Sequence, residues 1–303
     1  MIEIKTEFVT IPYKTSVPVR GKLIHSNRFL KVTILEKDYY LSTLDGLHET
    51  TLEEVSFKVK EFFSSFELNF SNIDFSVKYF NLTSSLPDYS AEILFHIESL
   101  LLGMISKTHP HLFNQDEILV NSLFRPANGL EFYKNSGCIK IKINPENALL
   151  TAELLNAFYE QNPLVLFRLD GNRKFELWEM MDFEKTLREK TLHNAFIRID
   201  YVEEPFKNFY DSKVFEAHSE LKIAIDESYI HFMEAGILDF PSVIKPSLIG
   251  LSPVFLWLGS HKENRAIIST SFEHPTILEG LKFLARTRPF EYHGLENFIE
   301  IAE

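Results

Sequence analysis

Short apolar runs separated by amphipathic segments dominate the chain from about residue 118 to residue 273. Three consecutive runs end in a carboxylate: LVLFRLD ends at Asp170, AFIRIDYVEE reaches Glu203, and LKIAID ends at Asp226. This density of Ile, Leu, Val and Phe predicts strands that are buried on both faces. A segment long enough for a helix follows each run, so the pattern predicts parallel strands joined by helices.

The alternation of strand and helix continues on both sides of these three runs. Two earlier strands are predicted at ILVNSLF and CIKIKI, and two later ones at VIKPSLIG and AIISTSFE. A weaker pattern near FEYHGLENF allows an eighth strand in the tail. So many strand–helix units predict an α/β fold, a TIM-type (β/α)7β barrel, rather than an open doubly wound sheet. The Gly-rich phosphate-binding fingerprint that would favour the open sheet is missing from the sequence.

The first part of the chain has a different pattern. Residues 1–46 alternate apolar and polar positions as strands do, whereas TLEEVSFKVKEFFSSF and DYSAEILFHIESLLLGM have helical spacing. Strands followed by helices predict a small α+β domain over residues 1–110, with the barrel domain over residues 111–303. We expect the tail of the barrel domain to be able to pack back on the first domain.

The three strand-end carboxylates are the first candidate for chemistry. Carboxyl ends of parallel strands meet at one edge of a barrel, so Asp170, Glu203 and Asp226 are expected to converge. A single strand-end Asp is as often a helix N-cap, but capping explains three in a row poorly. Converging carboxylates repel one another and predict a cation, for which hard oxygen ligands favour Mg²⁺. Adjacent Glu203 and Glu204 point in opposite directions along a strand, and spacing leaves open which one faces the mouth.

Lysines provide the second candidate. Lys140 and Lys142 lie two positions apart in KIK, so both can face the barrel interior. Neighbouring ammonium groups and burial each lower the pKa of a lysine, and a lysine that is neutral near pH 7 is a usable base. A solvated strand face is the simpler interpretation of KIK alone. Lys245, in the sixth predicted strand, would lie across the barrel from the second strand and on the other side of the acids.

Composition and charge limit the cellular compartment and the classes of partner that are expected for this chain. The formal net charge is -12 and the acidic residues are dispersed, which disfavours nucleic acid and anionic membranes. The single cysteine, Cys138, excludes an internal disulfide and fits a reducing compartment. The N-terminus lacks the apolar region of a signal peptide, and no apolar run reaches the roughly 20 residues of a membrane span. We therefore expect a cytoplasmic protein.

Several motifs resemble one known family. FRLDGN, YVEEPF, IAIDES and VIKPS, with KIK upstream, resemble the enolase superfamily, and within it the lysine–lysine subgroup that contains the muconate lactonizing enzymes. The resemblance covers the barrel from about residue 138 to residue 273, and the first domain fits the family's capping domain. It implies a bound Mg²⁺, with Mn²⁺ able to substitute, and a small-molecule carboxylate substrate. The implied metal ligands are Asp170, Glu203 and Asp226.

The resemblance also implies roles for individual side chains. Lys142 matches the acid/base catalyst, Lys140 the neighbour that adjusts its pKa, and Lys245 the lysine across the site. Asn172 and Arg168 match positions beside the metal ligands or the substrate.

Within the subgroup, the chain most resembles the o-succinylbenzoate synthases. ISTSFEHP, at residues 268–275, is similar to their Ser-rich strand end, although His274 and Pro275 stand where serines are common. We expect the backbone amides of Thr270 and Ser271 to bind a substrate carboxylate, and Gly294 of HGLENF matches a glycine of the family's tail.

The implied reaction is a Mg²⁺-dependent syn dehydration of a succinyl-hydroxycyclohexadiene carboxylate to o-succinylbenzoate, a step of menaquinone biosynthesis. It starts with abstraction of a proton α to a carboxylate and passes through an enediolate. The first alternative is an N-acylamino-acid racemase or dipeptide epimerase of the same subgroup. The second is a non-catalytic barrel that serves as a binding module.

Overall fold

The computed structural model describes residues 4–19, 22–65, 89–108, 117–208, 210–229 and 240–296. The chain begins with an antiparallel sheet of three strands in the order β1-β2-β3. These strands are β1 (Ile4–Val19), β2 (Lys22–Ile34) and β3 (Lys37–Leu41). The β2–β3 hairpin turns at Leu35 and Glu36, which adopt positive φ angles of 49° and 61°. Two such residues form the tight turn that matches the twist of paired strands.

Two helices cover the sheet, as the sequence predicts. They are α1 (Leu52–Ser65) and α2 (Ala91–Thr108). At the start of α1, the Glu54 amide donates to the Thr51 hydroxyl at 3.2 Å, and the Glu54 carboxylate accepts from the Thr51 amide at 2.7 Å. This reciprocal capping box satisfies amide groups that the first helical turn leaves unpaired.

The second part of the chain forms parallel strands. They are β4 (Ser122–Leu123), β5 (Cys138–Lys142), β6 (Leu166–Asp170), β7 (Ile199–Glu203), β8 (Ile223–Ala224), β9 (Ser242–Ile244) and β10 (Ala266–Ile268). Strands β4 to β8 pair in sequence order, and β9 pairs with β10. A parallel bridge between Ile225 and Ser242 joins the two groups. All seven strands that the sequence predicts for this region are present.

The tail closes the barrel in place of an eighth strand. Gly294 bridges to Ser269 beside β10, and His293 bridges to Val120 beside β4. A Cβ atom added to Gly294 would lie 2.6 Å from the Ser269 hydroxyl, so this close approach requires glycine. The described part of the tail therefore completes the barrel, whereas residues 297–303 lie outside the described residues.

Helices surround the strands. They are α3 (Ala148–Gln161), α4 (Leu177–Lys190), α5 (His193–Phe196), α6 (Asp211–Glu216), α7 (Pro246–Ile249), α8 (Leu251–Ser260) and α9 (Leu278–Ala285). VIKPSLIG is a strand only as far as Ile244, because Pro246 begins a helix there. The helix predicted around YIHFMEAG lies outside the described residues.

The two parts of the chain pack against each other. The buried carboxylate of Glu98 on α2 accepts the Leu251 amide at 2.6 Å, at the first turn of α8. The domain boundary expected at residue 110 lies outside the described residues and stays a prediction. Of the helices in the described ranges, none combines the length and the apolar character needed to cross a membrane.

Candidate active site

Three neighbouring strands bring the first group of predicted site residues together. In the parallel register, Lys142 of β5 lies beside Asp170 of β6, which lies beside Glu203 of β7. The Lys140 amine lies 3.0 Å from the Asp170 carboxylate and 2.6 Å from the Glu203 carboxylate. Asp170 and Glu203 are both buried, at 7% and 2% exposed. One ammonium group thus lies between two buried carboxylates at the carboxyl edge of the strands.

The next two strands supply the second group. Asp226 follows β8 by two residues, and Lys245 directly follows β9. The Lys245 amine lies 2.6 Å from one oxygen of the Asp226 carboxylate and 3.8 Å from the Glu227 carboxylate. The predicted lysine and acid of this half of the site therefore form a direct ion pair.

The electrostatic interactions connect the two groups. Burial lowers the pKa of Lys140, but the nearby Asp170, Glu203 and Asp226 outweigh it and raise the pKa well above its ordinary value. Burial raises the pKa of Glu203, and although Lys140 opposes this effect, Asp170 and Asp226 reinforce it. Each of these two pKa shifts involves all three carboxylates that the sequence predicts to converge. The charges of Asp170, Glu203 and Asp226 therefore act on one another inside the barrel.

The carboxylates are arranged around ammonium groups rather than around one common point. Within the described ranges, no group of three His, Cys, Asp or Glu side chains is placed to hold a metal ion. The donors nevertheless fit a hard cation, because oxygens of Asp170 and Glu203 already converge on one positive centre, the Lys140 ammonium. The assignment of Asp170, Glu203 and Asp226 as Mg²⁺ ligands stays a prediction.

Lys142 has a different environment from the other two lysines. It is exposed at the barrel mouth, and no carboxylate of the described residues lies within ion-pair distance of its amine. The surrounding protein and the Lys140 charge nevertheless lower its pKa, against the opposing effect of Asp170. Lys245, in contrast, has a raised pKa because Asp226 and Glu227 outweigh burial. Of these two lysines, Lys142 is the better suited to accept a proton.

The loop after β6 supports one carboxylate. The Asn172 side chain donates a hydrogen bond to the Asp170 carboxylate at 2.5 Å. Asn172 and Arg173 have positive φ angles of 46° and 55°, a conformation that Asn tolerates better than most residues. A Cβ atom at Gly171 would lie 2.5 Å from the Pro205 Cα, which explains the glycine of DGN. The structure thus places Asn172 beside a predicted metal ligand.

Arg168 lies two residues before Asp170 on β6, deeper in the barrel than the carboxylate edge. Its guanidinium donates to the Asp200 carboxylate at 3.0 Å, to the Glu291 carboxylate at 3.4 Å and to the Tyr292 carbonyl. It also lies 4.7 Å from the centre of the Tyr201 ring. Only 1% of Arg168 is exposed. Each guanidinium nitrogen donates to one of these protein partners, so the contacts assign Arg168 to the barrel interior rather than to a substrate.

The expected carboxylate-binding amides after β10 already have partners. The Thr270 amide donates to the Gly294 carbonyl at 2.9 Å, which is part of the barrel closure. The Ser271 amide donates to the Glu273 carboxylate at 2.6 Å, and the Ser271 hydroxyl accepts from Ser247 at 2.9 Å. In this structure the two amides and Gly294 hold the strand end rather than point to a ligand. Sequence analysis assigns no role to Glu273, whose pKa is raised by burial.

The capping domain contacts the barrel mouth beside this strand end. The Tyr13 ring on β1 lies 6.2 Å from the Phe272 ring, and Val17 is buried in the same apolar cluster. The His274 ring lies 4.3 Å from the Tyr40 ring and 5.7 Å from the Phe29 ring. His274 therefore packs between the two domains, where a serine would leave much of this contact unmade.

Comparison with known sequences finds similarity over part of the chain. No family model matches the chain. Over 116 residues the chain is 32% identical to an o-succinylbenzoate synthase of Citrobacter koseri and 31% identical to one of Escherichia coli. Both alignments cover 37% of this chain and 34% of the relative. The chain thus aligns with about a third of the length of the curated relatives that it matches.

Comparison with solved structures covers nearly the whole chain. The o-succinylbenzoate synthase of Thermosynechococcus elongatus, complexed with Mg in its active site, aligns with a TM-score of 0.67 at 14% identity, over 96% of this chain and 92% of that one. The L-Ala-D/L-Glu epimerase of Bacillus subtilis aligns with a TM-score of 0.71 at 14% identity, over 98% and 89%. The muconate lactonizing enzyme of Pseudomonas fluorescens aligns with a TM-score of 0.66 at 14% identity, over 94% and 84%. The predicted fold, a TIM-type barrel with an N-terminal cap, is confirmed, and the local similarity to o-succinylbenzoate synthases agrees with the resemblance that the motifs carry.

Proposed function

We propose that the chain is a metal-dependent enzyme of the enolase superfamily that dehydrates a succinyl-hydroxycyclohexadiene carboxylate to o-succinylbenzoate. One observation carries the proposal: Lys142 and Lys245 flank Asp170, Glu203 and Asp226 from different strands of one barrel edge. The local identity of 32% to an o-succinylbenzoate synthase supports this specific reaction over others of the same fold.

Asp170, Glu203 and Asp226 would hold the metal ion. A bound Mg²⁺ supplies fixed positive charge where a substrate carboxylate gains negative charge as its α-proton leaves. A solved structure of similar fold, the o-succinylbenzoate synthase of Thermosynechococcus elongatus, holds Mg in its active site. Asn172 supports the set from outside, because its hydrogen bond fixes the orientation of the Asp170 carboxylate.

Lys142 is the residue that moves protons in this proposal. Its amine is exposed at the mouth, and its lowered pKa increases the neutral fraction that can remove a proton α to a carboxylate. The same lysine, once protonated, can donate that proton to the departing hydroxyl group on the same face of the ring. One positioned lysine therefore suffices for both steps of a syn dehydration.

Lys245 supplies a positive charge in this proposal and does not transfer protons. Its amine is hydrogen-bonded to both oxygens of Asp226, at 2.6 and 2.5 Å, and this ion pair keeps it in the charged form. A fixed cation across the site from Lys142 stabilises negative charge that develops on the substrate. The capping domain adds shelter from water, since Tyr13 and Val17 pack beside the loop that follows β10.

The second candidate function is racemisation or epimerisation of an N-acylamino acid or a dipeptide. The likeness to the L-Ala-D/L-Glu epimerase of Bacillus subtilis, with a TM-score of 0.71, favours it at the level of the fold. Two lysines on opposite sides of a substrate could also exchange protons on opposite faces. In that reaction Lys245 would have to lose its proton, which its ion pair with Asp226 opposes.

The experiment offers the purified protein both kinds of substrate with Mg²⁺ or Mn²⁺. We expect fast conversion of the cyclohexadiene carboxylate, followed by the ultraviolet change as the ring becomes aromatic. If the protein ignores this substrate but exchanges the α-proton of both enantiomers of an N-acylamino acid with deuterated water, the epimerase proposal replaces it. A protein that binds the metal but exchanges no α-proton of either substrate would be a binding module.

A further inference from the structure

We propose that Glu204, the second Glu of YVEEPF, is a positioning residue that fixes Asp226 relative to Glu203. The inference rests on the proposed function, because it assigns Asp226 a role in metal binding. Glu203 directs its carboxylate to the Lys140 amine inside the barrel, at 2.6 Å. Glu204 has a positive φ of 38° and directs its carboxylate elsewhere, so the two adjacent acids serve different sets of partners.

The Glu204 carboxylate binds the backbone of the next strand end. One oxygen accepts the Asp226 amide at 2.8 Å and the Ser228 amide at 3.3 Å. The other oxygen accepts the Ser228 hydroxyl. Three donors from one short segment thus converge on one buried carboxylate, which is only 5% exposed. These hydrogen bonds hold the backbone at Asp226 and at Ser228. They therefore fix the position from which the Asp226 side chain extends.

Arg173 connects the same carboxylate to the loop after β6. Its Nε donates to Glu204 at 2.9 Å, and a second nitrogen donates to the Ser228 hydroxyl at 3.0 Å. The Arg173 amide also donates to the Glu204 carbonyl at 2.7 Å. Arg173 lies three residues after Asp170, so a single network ties the loops that follow β6, β7 and β8. Asp170 and Glu203 directly precede the first two of these loops, and Asp226 lies in the third, so the network adjoins all three predicted metal ligands.

A buried carboxylate suits this task better than an amide would. Every partner of the Glu204 carboxylate named above is a donor, and a carboxylate offers acceptor positions on both oxygens. Replacement by Gln leaves one acceptor oxygen and introduces an NH₂ group that faces donors. The segment around Asp226 then loses hydrogen bonds without any change in the ligand side chains themselves. Outer partners of this kind typically affect metal affinity by about 10- to 100-fold.

The test compares Glu204→Gln with Glu184→Gln as a matched control. Glu184 is also a buried carboxylate that accepts an arginine, Arg188, and a backbone amide, that of Glu220, but it lies on the outer helix α4. Two readouts are measured on both variants and on the wild type. They are the affinity for Mn²⁺ alone, by electron paramagnetic resonance, and hydrogen–deuterium exchange of peptides that contain Asp226 and Ser228.

We expect Glu204→Gln to weaken Mn²⁺ binding by about tenfold or more and to speed exchange in the Asp226 segment. Glu184→Gln should leave both readouts at wild-type values even if it lowers the melting temperature. Faster exchange with unchanged Mn²⁺ affinity would show that Glu204 only stabilises the fold, and unchanged exchange would show that it does not hold the segment. Either result overturns the inference while the proposed function stands. A wild type that binds no Mn²⁺ overturns the proposed function itself, and the inference with it.

Discussion

The Lys140 amine lies 2.6 Å from the Glu203 carboxylate, and the same amine is 3.0 Å from Asp170. This single ammonium lies between two buried carboxylates, offsets part of their negative charge and reduces their mutual repulsion. A metal ion that binds the same oxygens must therefore compete with Lys140 or move it. The contacts of Lys140 therefore connect the stability of the fold with metal binding at the barrel mouth.

Replacing Lys140 by Met should destabilise the metal-free protein. The change removes the partner of Asp170 and Glu203 while keeping the volume of the side chain, and an uncompensated buried charge costs roughly 3–5 kcal/mol. Mn²⁺ should restore much of the lost stability, because it supplies positive charge to the same oxygens. Thermal unfolding with and without Mn²⁺ measures both effects. If Mn²⁺ stabilises the variant no more than the wild type, the oxygens of Asp170 and Glu203 do not form the metal site.

Lys142→Ala should remove activity more completely than Lys140→Ala. General acid–base catalysis contributes roughly 100- to 10,000-fold, and Lys142 would serve both as base and as acid. Lys140 acts on the reaction through its charge and its carboxylate partners. Steady-state rates at saturating Mg²⁺ make the comparison, with circular dichroism as the control for folding. A larger loss in Lys140→Ala would reverse the two roles.

Lys245→Arg should retain more activity than Lys142→Arg. Arginine keeps the positive charge but does not act as a base near neutral pH, so it can replace a charge-supplying group better than a proton-transferring one. Both variants should lose some activity because the guanidinium differs in shape from an ammonium. The measurement is the rate of o-succinylbenzoate formation. Equal and near-complete losses would show that Lys245 also transfers a proton and does not only supply charge.

Acid should destabilise the fold through buried histidines. Burial lowers the pKa of both His274 and His293 to about 4, so the unfolded chain binds more protons than the folded one between pH 6.5 and 4. Above about pH 6.5 both histidines are neutral in the folded and in the unfolded chain, and their full contribution to stability is present. As the pH falls to 4, the unfolded chain is protonated first, and the free energy of unfolding decreases by up to roughly 3 kcal/mol for each histidine.

His293→Asn provides the test of this pH dependence. The His293 ring accepts the Ile268 amide at 3.0 Å and contacts the Arg288 carbonyl at 3.1 Å, so the variant should be less stable at pH 7. It should also lose less stability than the wild type between pH 7 and pH 5, as measured by urea unfolding. The control is His25→Asn, at an exposed position on β2. Identical pH dependence in wild type and His293→Asn would contradict the assignment.

Glu98→Gln should weaken the contact between the two domains. The Glu98 carboxylate accepts the Leu251 amide and the Ser252 hydroxyl at the first turn of α8, where a negative charge is favourable. Hydrogen bonds to a buried charge contribute about 1.5–3 kcal/mol, so a loss of that order is expected in chemical unfolding. Glu54→Gln, which alters an exposed capping box, should cost much less. Equal losses in the two variants would show that Glu98 adds nothing beyond ordinary helix capping.

The sequence by itself determined the barrel and the order of its strand-end groups. Apolar runs followed by helical segments permit parallel strands, and parallel strands bring their carboxyl ends to one edge. The chain positions of Asp170, Glu203 and Asp226 therefore predict that the three acids share that edge. The weaker pattern near FEYHGLENF also indicated an element in the tail, where His293 and Gly294 form the two bridges that close the barrel.

Only the tertiary structure decided which partner each side chain takes. Glu203 and Glu204 are indistinguishable by type and spacing, and the backbone turn at Glu204 separates them. The amides of Thr270 and Ser271 could be assigned to a ligand from sequence, yet the barrel closure and Glu273 use them. Gly294, the partner of the Thr270 amide, is distant along the chain, and even the nearby Glu273 meets the Ser271 amide only because the fold buries its carboxylate there.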